Sequence, residues 1–192
     1  MGWVIWITGL PGSGKTTISL KVQESFEADG IAVTRLELDE IRRYVTPEPT
    51  YSEEEREIVY RSLGYMAKLL YDHGINVIID ATANRRSYRD FARGLIPNFI
   101  EVYIETPIDR CIKQEAERDA KYSPKGIYDK SKLPGANVPG INVEYEAPEN
   151  PEVVINTVEI TPEKAGEIIR NWVKERFDIE ITPENRGREG EP

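Results

Sequence analysis

The sequence predicts an α/β fold: one sheet of about five parallel strands, helices on both faces, and a lid segment. Three observations predict it. Apolar runs of strand length alternate with helical patterns along the chain, the order in which right-handed strand–helix–strand units lay down a parallel sheet. The run 75–81 is almost wholly apolar, as a strand covered on both faces must be. Between the first strand and the first helix stands Gly9-Leu-Pro-Gly-Ser-Gly-Lys15-Thr16. This stretch satisfies G-x-x-x-x-G-K-[ST] in the strand-to-helix context of a P-loop NTPase fold.

The elements come in order. Residues 3–8 read as a strand, 16–28 as a helix closed by Gly30, and 32–38 as a second strand. Ser52 heads a long helix, because Ser-Glu-Glu-Glu sets a capping box with Glu55 at its third position. Val59, Leu63, Met66 and Leu70 recur at helical spacing, so one face is buried, and Gly74 ends the helix. After the strand 75–81 come a polar helix over 85–94 and a strand over 99–104. Thr106-Pro107 and Thr161-Pro162 each read as an N-cap followed by proline in the first turn. Residues 153–155 are the last core strand, and Ile168, Ile169, Trp172 and Val173 mark the buried face of the last helix. Trp3 and Trp6 read as packing residues. Residues 1–177 form one domain. Its segment 118–140 is rich in Lys, Pro and Gly, has little core character, and reads as a basic lid over an anionic substrate or as an ordinary solvated loop. The tail 178–192 has little to anchor it and is expected to fray.

Composition excludes several classes. One cysteine, Cys111, allows no internal disulfide, and with one histidine, His73, it allows no zinc site of Cys/His type. Cys111 reads as a small buried residue and His73 as a cation at a helix end. No stretch approaches the roughly eighteen apolar residues of a membrane span, and the N-terminus lacks a basic leader region. A cytoplasmic protein is expected. The net charge of −9 argues against nucleic acid as a partner.

The cradle implies ATP and Mg2+ as cofactors. Gly9, Gly12 and Gly14 let backbone N–H groups turn inward onto phosphate oxygens, with Ser13, Lys15, Thr16 and Thr17 at the helix start. Lys15 reaches the terminal phosphates and Thr16 holds the metal. No guanine-reading N-K-x-D is present, and Asp80 is followed by Ala81 where a hydrolytic ATPase often has glutamate. Transfer to a bound acceptor is therefore favoured over hydrolysis. Asp39 lies just past the second strand, where ligands of parallel sheets sit. There it is placed to take a hydroxyl proton, to meet the metal, or with Glu40 to complement the dipole of the following helix. Arg42, one turn on, is placed to fork onto an anionic acceptor. Asp80 ends the third strand and reads as a metal partner, an alternative base or an N-cap. The polar run Asn84, Arg85, Arg86 and Arg89 reads as an acceptor contact or a solvated helix face.

Four stretches together carry a resemblance: 6–17, Tyr51-Ser-Glu-Glu-Glu-Arg56, Pro124-Lys-Gly-Ile-Tyr128, and 140–151 with its Tyr-Glu-Ala-Pro-Glu-Asn-Pro. Over about residues 3–175 the chain resembles adenylyl-sulfate kinases, P-loop kinases that phosphorylate the 3′-hydroxyl of adenylyl sulfate. The resemblance implies that Asp39 is base and magnesium partner and that Arg42 and Arg56 hold the acceptor. It implies Tyr51 as the aromatic on the acceptor's adenine, Lys125 and Ile141 as further acceptor contacts, and Arg118 near the ATP base. Arg86 is the surviving member of a Ser-Pro-Tyr-Arg motif, written Ala83-Asn84-Arg85-Arg86 here, so Asn84 and Arg86 join the acceptor side. It also implies a homodimer.

The chain departs from the family elsewhere. Asp-Gly-Asp-Asn is Glu37-Leu38-Asp39-Glu40, an asparagine is Val59, and a phenylalanine expected to cover the adenine is Val138. The stretch 79–89 is also similar to kinases of polynucleotide 5′-ends or aminoacyl-tRNA, a second reading. A nucleotide-binding regulator without catalysis is a third.

Overall fold

The computed structural model of the chain describes residues 2–117, 122, 124 and 126–179. Its strands are β1 (Val4–Thr8), β2 (Val33–Glu37), β3 (Asn76–Asp80), β4 (Phe99–Glu105) and β5 (Val153–Asn156). Its helices are α1 (Lys15–Glu27), α2 (Leu38–Val45), α3 (Glu53–Asp72), α4 (Arg86–Leu95), α5 (Ile108–Glu117), α6 (Ile127–Lys130) and α7 (Pro162–Arg176). The strands form one parallel sheet in the order β2-β3-β1-β4-β5. Glu37 is opposite Asp80, and Ile7 is opposite Asp80 on its other side. The carboxyl ends of β2, β3 and β1 are therefore level, and the segments leaving these three strands converge on one crevice.

Strand alternation divides the core. Trp3, Ile5 and Ile7 face α1 and α7, meeting Ile18, Val22, Phe26, Ile169 and Val173. Val4 and Trp6 face α3 and α4, meeting Val59, Leu63, Ala67 and Ala92. The two tryptophans thus pack opposite faces: Trp3 lies 4.6 Å from the Phe26 ring, and Trp6 lies 6.1 Å from Phe99 while donating to the Ala81 carbonyl at 3.2 Å. Two sequence departures dissolve into this packing. Val59 is fully buried, and Leu38, at the start of α2, is 6% exposed.

The helix ends obey their residues. Ser52 accepts from the Glu55 amide at the head of α3, and Thr161 accepts from the Lys164 amide with Pro162 next to it. Thr106 differs from expectation. Its hydroxyl donates to the Ser13 carbonyl at 3.1 Å and shares a hydrogen with Thr157, so it ties the phosphate loop to the loop after β5 and does not cap α5. The 85–94 helix is also less polar than expected. Tyr88, Arg89 and Ala92 are buried, and Arg89 bonds Glu101 at 2.5 Å and the Glu146 carbonyl at 2.7 Å. An arginine in this place needs that buried carboxylate, because an unpaired internal charge would be prohibitive.

The segment 126–140 carries more core than its composition suggests. Tyr128 and Val138 pack on Cys111 with Leu10, Ile108 and Ile127, and the Tyr128 hydroxyl donates to the Pro11 carbonyl at 2.7 Å. This part of the expected lid is bound to the phosphate loop itself. Cys111 is buried as expected, and burial pushes its thiol up to about 11. His73 caps α3, its ring 2.7 Å from the Leu69 carbonyl. Among the described residues no helix is long and apolar enough to cross a membrane. The expected tail from residue 180 on lies outside the described residues.

Candidate active site

The phosphate loop passes tightly under α5. Gly12 has φ +75°, and a Cβ there would stand 2.3 Å from the Cys111 carbonyl oxygen, so only glycine fits. Gly14, at φ +98°, is the left-handed N-cap of α1. Gly9 sits one step back, where a Cβ would meet the Ile104 carbonyl at 2.7 Å. Gly12, Ser13, Gly14, Lys15, Thr16 and Thr17 line one wall of a cavity of about 840 Å3. Arg110, Gln114, Tyr122 and the loop 157–162 line the other. Lys15 is 9% exposed, and its Nζ donates to the Leu10 carbonyl at 2.9 Å, which arches the side chain over the loop. This backbone-lined cradle at a helix N-terminus fits the phosphates of a nucleoside triphosphate.

A second cavity of about 400 Å3 adjoins it. Asp39 and Arg42 from α2, Tyr51 from the turn before α3, Arg56 from α3, Asp80 from β3 and Val138 line it. Lys15, Thr16 and Glu37 line both cavities and so mark the seam between them.

The electrostatics of the seam centre on carboxylates. Asp80 is 4% exposed; Ser19 Oγ lies 3.3 Å from its Oδ2, and Thr16 bonds it as well. Burial pushes the Asp80 carboxyl up, against the pull of Lys15, the Thr16 hydroxyl and Arg35. Glu37, 7% exposed, is likewise raised by burial and lowered by Arg35 at 2.9 Å. Asp80 does not cap α4, whose N-cap is Arg85, and Asp39 stands with Glu40 in the first turn of α2, where its charge also complements the helix dipole. Thr16, Asp39 and Asp80 are hard oxygen donors, the set magnesium prefers. Among the described residues no group of three or more His, Cys, Asp or Glu could hold a metal alone.

The acceptor wall is more committed than its sequence suggests. Arg42 is 6% exposed, pairs with Glu55 at 2.6 Å, and lies 5.0 Å above the Tyr51 ring. Tyr51 itself has φ +56°, a conformation unusual for a tyrosine. Arg56 secures it: Nε donates to the Tyr51 carbonyl at 3.0 Å, Nη1 to Asn84 Oδ1 at 2.9 Å, and Nη2 to the Asn137 carbonyl at 2.5 Å.

Asn84, Arg86 and Ile141 fall outside the lining of both cavities. Asn84 is buried behind Arg56, and its amide donates to the Glu144 carbonyl at 3.1 Å. Arg86 turns to the 146–149 segment, donating to the Ala147 carbonyl at 3.1 Å and facing Glu149 at 3.4 Å. Ile141 is exposed beyond the rim. Arg118 and Lys125 lie outside the described residues. Sequence reasoning passes over Arg35, Arg110 and Gln114. No motif marks them; only the sheet order shows that β2 and the segment after β4 flank the cradle.

Known proteins resemble this chain in sequence and in overall fold. A sequence model of the adenylylsulphate kinase family matches residues 1–156. An adenylyl-sulfate kinase of Rippkaea orientalis is 35% identical over 174 residues, covering 90% of this chain and 91% of its own. One from Synechococcus sp. is 36% identical over 159 residues, 82% of this chain and 86% of its own. The Mycobacterium tuberculosis APS kinase CysC, solved in complex with AMPPNP and APS, superposes with a TM-score of 0.80 at 26% identity. That match covers 90% of this chain and 98% of that one. Since the family pattern spans most of the chain and such relatives align along nearly all of it, the chain belongs to the adenylylsulphate kinase family.

Proposed function

We propose how this chain, an ATP-dependent adenylyl-sulfate kinase by family, divides its reaction between the two cavities. ATP occupies the larger one and adenylyl sulfate the smaller, and the γ-phosphoryl crosses the seam to the acceptor's 3′-hydroxyl. The observation that carries this reading is that Lys15 and Thr16 line both cavities while Asp39 lines the smaller one beside them. Thr16, Asp39 and Asp80 would hold magnesium at the seam between the two cavities. When bound, magnesium offsets charge on the β- and γ-phosphate oxygens. Lys15 and the loop amides stabilise the oxygens of the transferring group. Asp39 orients the 3′-hydroxyl and takes its proton, a task in which positioning matters more than base strength.

On the acceptor side, Tyr51 offers an aromatic face to the adenine. Arg42, stacked on that ring and paired with Glu55, meets the phosphosulfate. Arg56 faces the same space, while its bonds to Tyr51, Asn84 and Asn137 hold the wall in shape. Lys125 and Arg118 keep the roles the resemblance implies, whereas Ile141, outside the cavity lining, is given none. The lone buried cysteine suits a reducing cytoplasm. A homodimer is the proposed assembly; a monomer mass by light scattering contradicts it.

The test is ADP release with Mg-ATP and a panel of acceptors: adenylyl sulfate, adenosine nucleotides, a 5′-hydroxyl oligonucleotide and none. Fast release with adenylyl sulfate alone is expected. Release with another acceptor and none with adenylyl sulfate overturns the acceptor assignment. Tight ATP binding with slow release throughout favours a regulator.

A further inference from the structure

Arg35 belongs to no motif, yet it stands at the seam. Arg35 and Glu37 are two apart on β2 and so point to one face of the sheet. Glu37 is in register with Asp80 on β3. The guanidinium joins them: Nη2 lies 2.9 Å from Glu37 Oε2, and Nη1 lies 3.5 Å from Asp80 Oδ2, the oxygen that Ser19 also bonds. All three side chains are largely out of water, at 17% exposure for Arg35, 9% for Glu37 and 4% for Asp80. Arg35 lines the donor cavity, and Glu37 lines both.

Charges so placed interact strongly. Two carboxylates abreast at neighbouring strand ends repel each other, and together they repel a nucleotide phosphate. A permanent, planar cation across both removes one negative charge and fixes the orientation of each carboxylate.

We infer that Arg35 is a positioning residue for nucleotide binding: it bridges Glu37 and Asp80 and lowers the negative charge beside the phosphate cradle. The inference rests on the reading that magnesium binds beside Thr16 and Asp80. Without Arg35 the seam is one charge more negative. Metal-free nucleotide then binds poorly, whereas magnesium, itself a dication, offsets the loss. Arg35 therefore sets how strongly nucleotide binding depends on magnesium.

The experiment is titration calorimetry of the full chain with AMPPNP, with magnesium and with EDTA, read as the ratio of Kd without the metal to Kd with it. Arg35→Met keeps the apolar stem and removes the charge; its ratio should rise about tenfold over that of the unaltered protein, or about 1.4 kcal/mol. Arg35→Lys should keep the ratio within about threefold, since the charge is retained. Glu37→Gln removes a negative charge from the same cluster and should move the ratio the other way, a result that stands even if Arg35→Met fails to fold. Parallel weakening in both conditions, or an unchanged ratio in Glu37→Gln, overturns the inference and leaves the magnesium reading intact. A ratio of one in the unaltered protein overturns the magnesium reading and this inference with it.

Discussion

The two cavities are built in different ways. The phosphate wall of the donor cavity comes from six consecutive residues, Gly12 to Thr17, at a helix N-terminus. The acceptor cavity borrows Asp39 and Arg42 from α2, Tyr51 from a strained turn, Arg56 from α3 and Val138 from the segment packed on the loop. The first relies on backbone N–H groups, whose placement demands particular glycines. The second relies on side chains whose surroundings adjust together. The cradle keeps the full motif, while Leu38, Val59 and Val138 have gone into apolar packing, Glu37 lines both cavities and Glu40 lines the donor cavity.

Substitutions sharpen the contrast, the largest effect first. Lys15→Ala should cost turnover several powers of ten, in line with roughly 3–4 kcal/mol or more of lost electrostatic stabilisation; steady-state kinetics checks it, and a loss below tenfold breaks the donor-side account. Asp39→Asn should lower kcat by about 10²–10⁴-fold with ATP affinity retained. Unchanged turnover would remove Asp39 from the chemistry.

Gly12→Ala tests the cradle as a backbone device. The added Cβ collides with the Cys111 carbonyl, so thermal unfolding should show a loss of about 1–3 kcal/mol, with ATP binding weakened as well. Arg42→Ala should raise the KM for adenylyl sulfate about tenfold, as expected for a charge-assisted bond of about 1.5 kcal/mol or more, and leave the KM for ATP alone. Equal changes in both would erase the distinction between the cavities. Arg86→Ala should change the acceptor KM by no more than about twofold, because its partners are on the 146–149 segment and its side chain is 41% exposed.

Legibility in the sequence obeys the same divide. Strands, the long helix behind Ser52 and the phosphate loop are encoded over short stretches, by alternation, capping and glycine spacing, and each is readable there. Arg42 and Tyr51 are readable as candidates but not as a stacked pair with Glu55 behind them. Arg89 reads as one member of a polar run, because its partner Glu101 lies on the following strand, β4, twelve residues on. Thr106 reads as a cap because the local Thr-Pro pattern is indistinguishable from one whose hydroxyl is needed elsewhere.

By itself the sequence determined the fold class, the cradle with its lysine and threonine, and the carboxylate after β2, because each rests on neighbours within a few residues. Only the tertiary structure decided that Arg56 ties the turn before its own helix to two distant segments, that Arg86 turns to the 146–149 segment, and that Arg35 bridges Glu37 and Asp80. The physical reason is that a guanidinium carries its donors at the end of a long stem. Its partners are set by which strands lie side by side, and no local pattern records that.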